Sequence, residues 1–203
     1  MADGSGRPVM DEELSTNYPL TWRAMENLIG TGKVHSIGLS NFNVLKTKRI
    51  LSSCRIRPAV NQVELHPFLP QDQLVNFCKQ EGILVVAHQP LGGELVNSGR
   101  EGHNSSNSPL QHPEIIQVAE QCGLTTAQVC LSWAVQRGIP VVPKTVKRVR
   151  MIENMHLARL PDHCIATVNG IHRSTGEVRF LKIQPKIGWD PFDEEEDQPA
   201  FKD

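Results

Sequence analysis

Four times in this chain a short apolar run of strand length is followed by a run with helical periodicity, and that alternation most limits the folds open to it. The apolar runs are residues 34–39, 58–64, 83–87 and 139–143. The helical runs after them are 44–53, 71–80, the pair 113–122 and 125–137, and 149–157. A further helix precedes the first strand, with Thr21 as its N-cap, Trp22, Met25 and Ile29 on the buried face, and Gly30 or Gly32 as its stop. Repeated strand–helix units joined by short connections give an α/β fold: a parallel sheet with helices packed on it. The helix faces expected inward are Ile50 and Leu51, then Leu74, Phe77 and Cys78, then Ile116 and Ala119, then Ala127, Cys130, Leu131 and Ala134. Residues 91–112, rich in Gly, Ser and Asn, are too long for an ordinary connection and read as a functional flap or an insert. Residues 161–169 have the pattern of one more helix.

Each strand carries polar residues at its C-terminal end. They are Ser40 and Asn41, Gln62 and Glu64, His88 and Gln89, and Lys144 and Thr145. Sites sit at that end both in (β/α) barrels and in open α/β sheets. One such residue alone is an ordinary capped or solvated loop; four sets in a row favour a shared site. The last strand ends in the strongest of them, VVPKTVKRVRMIEN at 141–154. Lys144 offers a point charge, Arg150 a planar fork and Thr145 a hydroxyl, a set suited to a phosphate. Its plain alternative is a solvated basic turn. No G-x-G-x-x-G follows any of the strands, so a Rossmann dinucleotide site has no support.

The 203 residues suit one domain spanning 1–203, with 1–17 as a loose lead-in, 18–160 as the βα units and 161–203 as an irregular C-terminal extension. A formal net charge of −1 argues against nucleic acid or an anionic membrane as a partner. Cys54, Cys78, Cys122, Cys130 and Cys164 show neither C-x-x-C pairing nor metal-ligand spacing, which reads as reduced thiols in a cytoplasmic protein. Residues 1–8 lack the apolar stretch of a secretory signal, and no run approaches the length of a membrane span.

Residues 18–160 resemble the C-terminal half of the aldo-keto reductases, a family of NADPH-dependent enzymes on a (β/α)8 TIM barrel. The runs that carry the resemblance are GK at 32–33 with IGLSNF at 37–42, PAVNQVE at 58–64 with His66-Pro67, Pro90-Leu91-Gly92, and QRG at 136–138 through Asn154. The fold it implies is four parallel βα units, the second half of that barrel. Carried over position by position, Ser40, Asn41 and Gln62 correspond to residues holding the nicotinamide carboxamide. Lys144, Thr145, Val146, Arg150, Glu153 and Asn154 correspond to the 2′-phosphate segment. His88 stands where the family has a Tyr stacked on the nicotinamide, Gln89 where it has a Ser, and Leu91 beside them. Imidazole is aromatic and can stack, though with less area. Gly93 falls where a phosphate-contacting Ser is common. His66 reads as structural.

The resemblance implies an oxidoreductase that uses NADPH to reduce a small aldehyde or ketone to an alcohol. The family's catalytic Asp, Tyr, Lys and His come from the first four barrel strands, a segment this chain does not contain. No catalytic residue is assigned, and Tyr18 reads as a packing or surface residue. The alternatives are a half barrel that binds NADPH or a protein without catalysis, and a truncated product without function. After Leu160 the match fades; Trp189, Phe192 and Phe201 resemble in position the tail that closes over substrate, or are stray aromatics in an acidic tail. No metal site is expected. Four strands alone leave two sheet edges open and expose their inner faces, with Val60, Val63, Val85, Ala87 and Val141 at stake, so pairing of two copies into a homodimer is expected; the alternatives are that residues 1–17 and 161–203 fold back and cover the face, or that the chain stays partly molten.

Overall fold

The computed structural model of the protein describes residues 17–93 and 108–181. In chain order these form α1 (Tyr18–Ile29), β1 (Leu39–Ser40), α2 (Val44–Leu51), β2 (Val60–Glu64), α3 (Asp72–Gln80), β3 (Leu84–His88), a 3-10 turn (Pro109–Gln111), α4 (Pro113–Cys122), α5 (Thr126–Gln136), β4 (Val141–Val142), α6 (Arg148–Met155) and α7 (Asp162–Thr175). The strands make one sheet in the order β1-β2-β3-β4, with β1 parallel to β2 and β3 parallel to β4. The α/β reading from sequence holds, with four strands in one sheet and helices between them. By packing, the described residues fall into two compact units, 17–62 with 73–84 and 63–72 with 85–181.

In the first unit Trp22, Ile37, Leu39 and Ile50 form the core, with Tyr18, Met25, Ile29 and Phe42 packed against it. The first helix begins three residues earlier than Thr21, which lies inside it rather than capping it. Pro19 explains the shift, since a proline has no N–H to satisfy and a fixed φ that suits the first helical turn. Asn43 caps α2 by accepting the Lys46 N–H at 2.8 Å. The strand expected over 34–39 shrinks to Leu39–Ser40. Before it the chain presses on β2: a Cβ on Gly38 would lie 2.4 Å from Val60 Cγ2, so only glycine fits there. Glu26, 3% exposed, accepts the Arg55 N–H at 2.6 Å and the Ile56 N–H at 2.9 Å, tying α1 to the approach to β2. A carboxylate sunk in a helix's inner face meets the backbone it needs.

The second unit is built around α5, whose Val129, Cys130, Leu131, Ser132, Trp133 and Ala134 are all buried. Thr125 and Gln128 form a reciprocal capping box at its start. Trp133 donates its indole N–H to Asn169 of α7 at 2.7 Å, and the Arg137 guanidinium lies 4.5 Å from the Trp133 ring centre while pairing with Asp72 at 2.6 Å. On α4 the inward residue is Ile115, fully buried, and Ile116, expected inward, is 39% exposed. A one-residue rotation of the helix accounts for this, because Ala119 stays buried beside Val118. Helix α7 runs to Thr175, six residues past the expected end at 169. Helix α6 buries none of its residues, and Val149 and Met155 are 76% and 81% exposed.

Of the strand residues expected to lie bare, Val63, Val85 and Ala87 are buried at 2%, 5% and 0% exposure, and Val60 and Val141 are half-buried. Side chains alternate across a strand, so a set mixing odd and even positions of β2 cannot share one face.

Candidate functional site

Ser40, Asn41 and Gln62 come together at the ends of the first two strands. Ser40 lies opposite Gln62 in the β1–β2 register. Asn41 takes left-handed backbone, φ 61°, which Asn tolerates better than most residues. That turn lets its N–H donate to the Gln62 carbonyl at 2.9 Å and brings its amide nitrogen to 3.4 Å from Ser40 Oγ. Asn61, fully buried on the other face of β2, accepts the Phe42 N–H at 3.5 Å and donates to the Phe42 carbonyl at 2.8 Å. The loop after β1 is thereby pinned to β2, and a hydroxyl and two amides are held on rigid strand ends.

The second set gathers at the ends of β3 and β4. His88 pairs with Val142 in register, so Lys144 follows two residues after the partner of His88. His88 is half-buried, and burial lowers its pKa; the Glu64 carboxylate opposes that shift. An uncharged imidazole is the form that can lie against a nicotinamide that gains positive charge on oxidation. Gln89 also has left-handed backbone, φ 48°, and its carbonyl accepts the Gly92 N–H at 2.8 Å. A Cβ on Gly93 would stand 2.5 Å from Gln89 Nε2. The amide end of the Gln89 side chain lies in the space that a side chain at 93 would enter, a contact its flexible end can yield.

The basic turn is preorganised at one point. Thr145 Oγ1 accepts the Lys147 N–H at 3.2 Å, and Lys144, Val146 and Arg150 stand in solvent. Glu153 instead faces α5, where its carboxylate accepts the Thr125 hydroxyl at 2.5 Å and its carbonyl accepts Gln128 Nε2 at 3.3 Å. Asn154 is half-buried, as is Leu91. Glu153 thus holds α6 to α5 and carries Arg150 on the same helix.

Sequence reading placed Glu64 among the polar strand ends but did not read it as a buried acid. Glu64, with no exposed surface, accepts His66 Nε2–H at 3.0 Å, the Phe180 N–H at 2.6 Å and the Leu181 N–H at 2.8 Å. Burial pushes this carboxyl up, but the three donors outweigh it and hold the group below its usual range. His66, also fully buried, is held below its ordinary value mainly by burial, so it is neutral with the proton on Nε2. Its Nδ1 then has no partner among the described residues, the milder kind of unpaired atom because it is a bare acceptor. Phe180 packs against the His66 ring at 5.0 Å between centroids. A donor set drawn from residues 116 positions away in sequence leaves no local pattern to find. Trp189, Phe192 and Phe201 lie outside the described residues, as does most of the 91–112 connection. Tyr18 is a packing residue, edge-on to Phe42 at 5.1 Å with the Arg49 guanidinium 4.9 Å from its ring centre. Among the described residues no group of three or more His, Cys, Asp or Glu could hold a metal ion.

The chain is similar to glycerol 2-dehydrogenase (NADP(+)) of Hypocrea jecorina, 35% identical over 94% of this chain and 58% of that protein. It is 39% identical to human aldo-keto reductase family 1 member A1 over 70% of this chain and 42% of that one. Among solved structures, the aldose reductase of Giardia lamblia superposes with a TM-score of 0.75 at 32% identity, covering 85% of this chain and 56% of that one. An aldo-keto reductase solved with NADPH gives 0.71 at 34% identity, covering 85% and 53%. The chain spans about half the length of the curated relatives it matches. The sequence model described as "Aldo/keto reductase family" matches residues 8–173, and the chain belongs to that family.

Proposed function

We propose that this chain contributes the cofactor half of an NADPH-dependent reductase acting on a small aldehyde or ketone. Ser40, Asn41 and Gln62 take the nicotinamide carboxamide, matching its donor and acceptor with theirs. His88 stacks on the ring, with Gln89 and Leu91 at its border. Lys144, Thr145 and Arg150 take the 2′-phosphate, with the backbone at Val146, and Glu153 and Asn154 hold their helix in place. Bound NADPH supplies the hydride. The observation that carries the reading is the register of Ser40 on Gln62 with Asn41 folded back onto the same strand. A hydroxyl and two amides converging at two strand ends fit an amide ligand, and a solvated loop would not need them so placed. A second reading, binding without turnover, is favoured by the packing of Tyr18 against Phe42 and Arg49. It leaves the described residues without a tyrosine at a strand end.

Titration of NADPH and NADH, followed by quenching of tryptophan fluorescence, tests the cofactor assignment. NADPH is expected to bind the more tightly. Lys144→Ala is expected to weaken NADPH by about ten- to 150-fold, from the loss of a charge-assisted contact of roughly 1.5–3 kcal/mol, and to leave NADH unchanged. Equal affinities, or an unchanged NADPH affinity in Lys144→Ala, overturn it.

We further infer a cytoplasmic setting, supported by five cysteines that are all free thiols. Among the described residues no helix is long and apolar enough to cross a membrane. A homodimer through exposed apolar surface is supported by Val142 of β4, 46% exposed, and by the bare apolar side chains of α6. Sedimentation at low micromolar concentration is expected to show a mass that rises with concentration, and Val142→Lys is expected to abolish the rise. A mass independent of concentration rules the dimer out. Val63→Lys would be a poor probe, since Val63 is buried.

A further inference from the structure

Outside the strand ends, one cluster of reactive side chains has a geometry that nothing above uses. Cys122 is the last residue of α4 and Cys164 lies in the first turn of α7, and these helices pack together. Their Sγ atoms are 3.9 Å apart across 42 positions of sequence. Cys122 is half-buried and Cys164 is 1% exposed. Cys164 Sγ also lies 3.3 Å from His163 Nε2 and 3.7 Å from Gln121 Oε1. Of the other thiols, Cys78 and Cys130 are fully buried, and burial pushes them up to about 11 and about 12, which keeps them unreactive.

We propose that Cys122 and Cys164 are a modification site, a thiol pair that a hydroperoxide converts into a reversible disulfide joining α4 to α7. A disulfide needs its sulfurs about 2.05 Å apart, so the gap closes by roughly 2 Å. Side-chain rotation at Cys122 can supply much of that movement, because the helix stops there: Gly123 has left-handed backbone at φ 64° and ends the regular hydrogen bonding. Burial, and after it the neighbouring Cys122 thiol, push the Cys164 thiol up, so Cys164 serves as the resolving partner and not as the sulfur that meets the peroxide first.

The order of events follows exposure. Cys122 sulfur attacks one peroxide oxygen, and as the O–O bond breaks the thiol proton passes to the departing oxygen. The departing oxygen leaves as the alcohol, or as water for hydrogen peroxide, and Cys122 becomes a sulfenic acid. Cys164 sulfur then attacks Cys122 Sγ, giving its proton to the adjacent His163 ring. The S–O bond breaks, and the hydroxide takes a proton to leave as water. Two thiols and one hydroperoxide thus yield one disulfide, one alcohol and one water, the sulfurs losing the two electrons that the peroxide gains. The bond ties α7 to α4, and α7 leads directly into the segment whose Phe180 and Leu181 N–H groups meet Glu64. It also restricts the unfolded chain over a long loop.

The test uses the full chain treated with graded hydrogen peroxide, alkylated with iodoacetamide and digested without reductant for mass spectrometry. A cross-linked peptide pair carrying Cys122 and Cys164 is expected, roughly 2 Da lighter than the two thiol peptides together and split by dithiothreitol. The oxidised protein is expected to melt several degrees above the reduced one. Cys164→Ser is expected to leave a Cys122 sulfenic acid that dimedone traps, and Cys122→Ser to leave Cys164 reduced at the same dose. Oxidation of Cys122 to the sulfinic acid, or bonding of Cys122 to Cys54 of another molecule, with Cys164 still free to alkylate after unfolding, overturns the proposal. The wild-type result stands whether or not either variant folds.

Discussion

Glu64→Ala is expected to lower stability by about 3–5 kcal/mol, the range for removing one member of a buried charged network. The carboxylate is fully buried and its oxygens absorb three donors: His66 Nε2–H, the Phe180 N–H and the Leu181 N–H. Alanine strands all three and opens a cavity. Glu64→Gln should be milder, about 1–3 kcal/mol, because its oxygen can replace Oε1 while its NH2 points a donor at the Leu181 N–H. The pH dependence has a definite sign. His66 is held below its ordinary value of 6.5 and Glu64 below 4.5, so in both cases the unfolded chain takes up protons that the fold refuses. Stability is therefore full above about pH 6.5 and falls as pH drops, with a second loss below about 4.5 as Glu64 is forced to protonate. Glu26, held low chiefly by the Ile56 N–H, adds to the second loss. Urea unfolding from about pH 2 to 8 reads both limbs. Glu64→Gln should flatten the lower limb relative to wild type, and an unchanged lower limb would show that Glu64 carries no part of it.

The strand–helix alternation and the polar strand ends were legible because both are local. A run of apolar residues closed by hydroxyls and amides is written in consecutive positions, and Ser40, Asn41 and Gln62 do converge. Boundaries were less legible where long-range packing sets them. The strand expected over 34–39 pairs only at Leu39 and Ser40, because Gly38 lets the chain press irregularly against Val60. Helix rotation misled at Ile116, since both it and Ile115 fit an apolar stripe and only contact with neighbouring helices chooses between them. Glu64 and Glu26 were illegible as buried acids, since their partners lie up to 117 and 30 positions away. The same holds for Cys122 and Cys164, which in sequence are two of five scattered thiols.

Turnover of carbonyl compounds by the 203-residue chain is expected to be about 10²–10⁴-fold below that of a full-length family member assayed beside it. That factor is what a positioned general acid contributes when it protonates the oxygen that gains charge as hydride arrives. The sequence holds one tyrosine, Tyr18, at the first position of α1. Its ring is engaged edge-on by Phe42 and faced by the Arg49 guanidinium, which places it in the core cluster of its unit and not at a strand end. His88 is at a strand end, but burial favours its neutral form and depletes the protonated imidazole needed for a strong acid. NADPH oxidation across a panel of aldehydes and ketones gives the measurement, with Tyr18→Phe as the decisive variant. The small residual rate should be the same in that variant, since the phenol hydroxyl plays no part in it. Robust turnover that Tyr18→Phe abolishes would reassign Tyr18 as the proton donor. Because the 2′-phosphate contacts proposed for Lys144 and Arg150 would act in binding alone, NADPH affinity should survive in the same preparation, separating a chain that holds cofactor from one that completes the reduction.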